Sequence, residues 1–137
     1  MNTSPNLASF CAYALTLSAA LAPLSALAAP RDAVTRDVQG YAIAVCLDRQ
    51  ENEVLKEQGN GWAAIIVERG KGDIEDWAPL RNAVEAALAE ATVPVVRGDS
   101  GEHPMPLFQC AELIDDPIVA AEIDATIAKM KPAYGSP

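Results

Sequence analysis

Ser100, with Asp99 before it and His103 three residues after it, brings a hydroxyl, a base and a carboxylate together in the stretch Arg97-Gly98-Asp99-Ser100-Gly101-Glu102-His103-Pro104. A serine becomes a nucleophile when a histidine takes its proton and a buried carboxylate orients that histidine. The same stretch offers His103, Glu102 and Asp99 as metal ligands. Arg97-Gly98-Asp99 also spells the tripeptide that integrins bind.

Each of these chemistries needs support that the rest of the chain does not supply. Gly98-Asp99-Ser100-Gly101 resembles the segment around the nucleophile of trypsin-like serine proteases, whose histidine and aspartate come from distant positions on two β-barrels. Here the one histidine is three residues from Ser100, the pattern is not all-β, and the chain is short for such a fold. A flexible loop does not hold a Ser100–His103 pair in productive geometry without a supporting shell, so His103 is expected as an exposed loop histidine. One histidine without a cysteine spacing argues against zinc, and the aspartates lack a calcium-loop arrangement. No metal, cofactor or enzymatic activity is therefore expected. The Arg-Gly-Asp word is short, and nothing else argues for an integrin partner.

Binding is the better role for these residues. Arg97, Asp99, Ser100, Glu102 and His103 lie in a loop bracketed by Pro94, Pro104 and Pro106. Prolines reduce the entropy lost on ordering, which suits a loop inserted into a partner's cleft. A solvated connection between helices is the plain alternative.

The elements that must position this loop read as helices. Val34, Val38, Tyr41, Ala42, Val45 and Cys46 form one stripe of a helix running from Asp32 to near Arg49. Glu53 to Gln58 begins a second helix that Gly59-Asn60-Gly61 is expected to interrupt, with helical pattern resuming at Trp62, Ile65, Ile66 and Arg69 until Gly70. Asp73 or Asp76 caps a third, carrying Trp77, Leu80, Val84, Ala87 and Leu88; a cap at Asp76 puts Pro79 in the first turn, and a cap at Asp73 predicts a kink. Trp62 and Trp77 both fall at core spacings. Thr92 to Pro106 breaks the pattern, being extended at most. A short helix with Leu107, Cys110, Ala111 and Ile114 inward follows. Asp116-Pro117 then opens a last helix through Val119, Ile123, Ile127 and Met130, which Pro132 ends. The expected fold is all-α: a small single-domain bundle of about five helices with one long loop and one disulfide.

Residues 1–28 contain no Asp, Glu, Lys or Arg and are almost wholly apolar or small from Leu7 to Ala22. With Ala26-Leu27-Ala28 as a small-x-small cleavage site, they read as a secretory signal peptide, although the segment lacks a basic residue at its start; a retained N-terminal anchor is the alternative. Residues 29–137 then form the domain, with no membrane association after cleavage. Cys11 leaves with the signal, and Cys46 and Cys110 are expected to pair in an oxidising compartment, two buried free thiols being the other possibility. Nineteen acidic residues against ten basic ones give a net charge of −9, which disfavours nucleic acid and anionic lipid and favours a basic partner.

The succession Tyr41-Ala42-Ile43-Ala44-Val45-Cys46-Leu47, then Gly72-Asp73-Ile74-Glu75, a long loop, and Leu107-Phe108-Gln109-Cys110-Ala111-Glu112-Leu113 is similar to the type VI secretion system amidase immunity proteins. The likeness runs from about Asp37 to Met130. It implies an exported, helical inhibitor with two similarly placed cysteines. Such a protein binds a peptidoglycan amidase in the periplasm and blocks its papain-like Cys-His site, protecting the cell wall. It implies a homodimer as well, and a protruding loop, here Val95 to Met105, that reaches the amidase groove. The break before the last helix, Ile114-Asp115-Asp116-Pro117, departs from the polar segment of relatives and leaves the class of amidase open. A non-enzymatic periplasmic adaptor is the competing expectation.

Overall fold

The computed structural model describes residues 31–135; residues 1–28, the segment expected as a signal peptide, lie outside them. Five α-helices, two short 3-10 helices and one β-hairpin follow in the order α1 (Ala33–Asp48), α2 (Glu53–Arg69), a 3-10 helix (Ile74–Trp77), α3 (Ala78–Glu90), β1 (Val95–Gly98), β2 (Gly101–Pro104), α4 (Pro106–Glu112), a second 3-10 helix (Leu113–Asp115) and α5 (Pro117–Tyr134). The domain is thus mostly helical, as the periodicity predicts.

Helix α1 is central, packing against α2, α3, α4 and α5. Its predicted stripe is buried, and so are Asp37, Gly40, Ala44 and Leu47, because neighbours approach from several sides. Asp32 starts it, its carboxylate accepting from the Thr35 N–H at 2.8 Å. Trp77 enters the core from the 3-10 turn and packs on Tyr41 with ring centroids 4.7 Å apart. Leu80, Val84 and Ala87 of α3 and Val119, Ile123 and Met130 of α5 complete that side. Asp37, its side chain only 3% exposed, ties three helices together. It accepts from Arg69 of α2 at 2.7 Å, from Arg36 at 3.2 Å and from the Tyr134 hydroxyl of α5 at 3.1 Å.

Several local expectations are corrected. Helix α2 runs unbroken through Gly59-Asn60-Gly61, because Gly59 is where its backbone meets that of α1. Its buried side is Gly59, Ala63 and Ile66, so Trp62 and Ile65 lie outside, Trp62 resting beside Gly40. Asp73 and Asp76 form a reciprocal box on the 3-10 helix, so neither caps α3, whose N-cap is Trp77 with Pro79 in its first turn. Pro132 does not end α5, which continues to Tyr134, the residue that docks on Asp37. Helix α4 buries Gln109 and Cys110, with Leu113 just after it, and leaves Leu107 and Ala111 outside, since the disulfide sets its rotation.

The ionisable groups holding these elements give the fold a defined pH window. The Thr35 backbone N–H holds the Asp32 carboxyl below the ordinary aspartate value, and Lys129, 2.7 Å from Asp76, does the same there. Carboxylates lowered on folding contribute stability that is complete above the unfolded pKa and lost as pH falls through the folded one. At the other limb, burial and then the bond to Asp37 raise the Tyr134 hydroxyl, and Asp76 raises Lys129. Groups raised on folding lose their contribution as pH rises through the folded pKa. The thermal midpoint is therefore expected to be flat at neutral pH and to fall below about pH 4 and above about pH 10. Calorimetry across that range checks it, and Asp76→Asn should shrink the acid limb.

Candidate functional site

The segment between α3 and α4, expected as loop, is an antiparallel hairpin with Val95 opposite Pro104, Val96 opposite His103, Arg97 opposite Glu102 and Gly98 opposite Gly101. Asp99 and Ser100 are the two turn residues. Gly101 follows them at a φ of 114°, a conformation that side chains resist, so glycine permits the chain to turn back. The base is closed where the Met105 N–H donates to the Pro94 carbonyl at 2.8 Å. Both strands are exposed along their whole length. Neither face meets the core, so the segment has no apolar alternation from which a strand could be read. The available signal was Val95-Val96 running into a turn of small residues.

All five predicted partner-binding residues belong to this hairpin. Directly opposed residues of an antiparallel pair share a face. Arg97 and Glu102 form an ion pair at 2.7 Å on one side, while His103 stands beside Val96 on the other. The pair is well solvated and holds the strand register more than it stabilises the domain. Ser100 Oγ lies 2.8 Å from His103 Nε2, so the turn does bring these two into hydrogen-bonding contact, contrary to the expectation from loop flexibility. Among the described residues no carboxylate is hydrogen-bonded to the other ring nitrogen of His103 to orient it. The dyad lies open to water, where a serine proton gains little from its histidine. It is suited to stiffening the turn and presenting a hydroxyl and an imidazole together.

The frame behind the hairpin is tied down. Cys46 of α1 and Cys110 of α4 are bonded, with Cα atoms 5.5 Å apart, and both are fully buried. Helix α4 begins two residues after the hairpin ends, so the bridge anchors the hairpin's C-terminal strand to the central helix. Beside it stand residues whose exposure sequence reading missed: Met105, Leu107 and Phe108 are apolar and outward. They form an apolar shoulder at the hairpin's foot. Gln109 is buried there, and among the described residues its side-chain oxygen has no hydrogen-bonding partner.

Among the described residues no group of three or more His, Cys, Asp or Glu is arranged to hold a metal ion, and no helix is long and apolar enough to cross a membrane. The fold and site define a small, disulfide-tied helical domain presenting one polar hairpin. Comparisons with protein-family models, with curated proteins and with solved structures find no match.

Proposed function

We propose that this protein is a periplasmic immunity protein that binds a type VI secreted peptidoglycan amidase and occludes its Cys-His site with the hairpin. The observation that carries the reading is the hairpin itself. Arg97, Asp99, Ser100, Glu102 and His103 are gathered on a projecting, solvent-exposed ribbon with its base anchored by a disulfide. A narrow, pre-shaped ribbon loses little entropy on entering a groove, which is the condition for tight inhibition. The shoulder of Leu107 and Phe108 offers apolar area beside it, the kind of contact that carries most interface energy. The net charge of −9 speeds encounter with a basic enzyme. The sequence likeness to the amidase immunity proteins supplies the class of partner, the periplasm its place of action, and a homodimer the form in which it acts.

The decisive experiment is retention of partners on the tagged protein from periplasmic and secreted fractions, followed by assay of peptidoglycan cleavage by what is retained. A papain-like amidase silenced on binding is the expected result. Retention of an unrelated protein, or an amidase left active, would replace this reading with that of a non-enzymatic adaptor. Replacing Arg97, Asp99, Ser100, Glu102 and His103 together with glycine and serine is expected to weaken the complex about 100-fold or more. Because these side chains are all exposed, the unfolding midpoint should move by less than about 0.5 kcal/mol in equivalent stability. Unchanged inhibition in that variant would assign the affinity to the apolar shoulder or a helix face. Ser100→Ala alone tests the hydrolase alternative, which requires an activity that this change abolishes.

A further inference from the structure

A cleft of about 630 Å³ lies at the foot of the hairpin, between the turn joining α1 to α2, the C-terminal end of α3, and the hairpin–α4 junction. Its volume lies in the range that holds a small molecule or a short stretch of peptide. Its lining combines apolar residues, among them Leu88, Pro104 and Pro106, with three primary amides, Gln50, Asn52 and Gln109. Gln50 donates from Nε2 to the Cys46 carbonyl at 3.1 Å, which leaves its own oxygen as an acceptor. Asn52 accepts from the Leu55 N–H at 3.1 Å, which leaves its amino group as a donor. Gln109 is nine-tenths buried, and among the described residues its Oε1 has no partner. That orphan acceptor is the independent sign of a ligand. Native proteins rarely leave an enclosed polar atom unsatisfied; this oxygen is itself covered, but Gln109 borders the cleft, so a donor there would meet it once the terminal amide turns.

We propose that this cleft binds an extended peptide segment with an apolar side chain flanked by basic residues. Backbone amides present alternating donors and acceptors, which is what a lining of carboxamides complements. An N–H of the segment goes to Gln109, and a carbonyl receives a proton from Asn52. The broad terminal torsion of a glutamine lets its oxygen turn toward an incoming donor. The apolar side chain lies on Leu88 and the two prolines. Arg49 also borders the cleft, but its guanidinium is engaged by Glu85 and, at 3.6 Å, by Asp48, so it is not free to recruit an anion. Glu51 stands at the same edge, and with a chain charge of −9 it favours basic flanks. The site is separate from the hairpin tip and does not depend on what the tip binds.

The test uses acetyl-Lys-Leu-Lys-amide and the same peptide N-methylated at leucine, titrated into the isotope-labelled protein. The side-chain amide resonances of Gln50, Asn52 and Gln109 should shift and saturate together. N-methylation, which removes one N–H, should weaken binding about tenfold. In Gln109→Met, which keeps the size and removes the acceptor, the two peptides should bind alike. Absence of shifts at these amides up to millimolar peptide, or equal affinity of both peptides for the unaltered protein, overturns the proposal. The comparison in the unaltered protein decides the matter even if the variant folds poorly. Because no amidase enters the assay, its outcome is separate from that of the inhibition experiment.

Discussion

Replacing Cys46 and Cys110 together with alanine is expected to lower the unfolding free energy by about 4 kcal/mol. The bridge spans a sequence separation of 64 residues, and closing a loop of that size removes much of the freedom of the unfolded chain. The chain-entropy relation gives that figure before native packing is considered. Both sulfurs are fully buried, so the alanines also leave a small void, which adds to the loss. A domain of this size has a net stability of about 5–15 kcal/mol, so the bridge is a substantial fraction of the whole. The effect should be felt first in α4. Its seven residues are too few for an isolated helix to persist in water, and it is held to α1 by this bond. Urea unfolding of the variant beside the oxidised and reduced parent measures the loss, and a change below about 1 kcal/mol would show that packing alone positions α4. On the inhibitor reading, the reduced protein should also lose affinity, since the hairpin's C-terminal strand runs directly into the released helix.

Gly59→Ala is expected to destabilise the domain by about 3 kcal/mol or more, whereas Gly61→Ala, two residues along the same helix, should stabilise it by about 0.5–1 kcal/mol. In an ordinary helix interior, alanine is favoured over glycine at both positions. At Gly59 a Cβ would stand 2.3 Å from the Asp48 nitrogen, 2.5 Å from the Ala44 oxygen and 2.8 Å from the Leu47 carbonyl carbon. All three are backbone atoms of α1 or its last turn, so no side-chain rotation relieves the clash and the two helices must separate. At Gly61 no atom of the described residues lies within 4 Å of the added carbon. The sign of the difference is therefore set by tertiary contact alone. Urea midpoints of the two variants, with far-ultraviolet circular dichroism to confirm that α2 persists, check the pair. A Gly59→Ala protein as stable as the parent would mean that α1 and α2 do not cross this closely.

The same two positions show what could be read in advance and what could not. Two glycines within three residues argue for a break in α2, because each costs about 1 kcal/mol of helix propensity. The close crossing with α1 offsets that cost, and the crossing involves residues from another segment. Pro132 likewise argues for a stop, yet α5 continues because Tyr134 reaches Asp37, 97 positions away in sequence. Helix α4 has room for only two turns, and in so short a piece Leu107 and Cys110 cannot both be assigned a face from spacing alone.

Within the candidate site, the polar membership of the hairpin was legible from its prolines, glycines and charges. Its strand pairing was not, because a ribbon with both faces in water has no hydrophobic alternation to reveal its period. The Ser100–His103 contact required the turn at Gly101 to bring position 103 back over position 100. The cleft draws its walls from segments near residues 50, 90 and 106, and no single stretch of sequence contains it.

By itself the sequence determined the helical class, the helix start at Asp32 and the cap at Asp116, the core stripes of α1, α3 and α5, and the two cysteines available to pair. Those features follow from hydrogen bonds and side-chain spacing between residues near one another along the chain. Only the tertiary structure decided the continuity of α2, the rotation of α4, the hairpin's register and the unpaired oxygen of Gln109. Each depends on which atoms another segment brings within contact distance, and steric exclusion and hydrogen-bond satisfaction are settled only where segments meet.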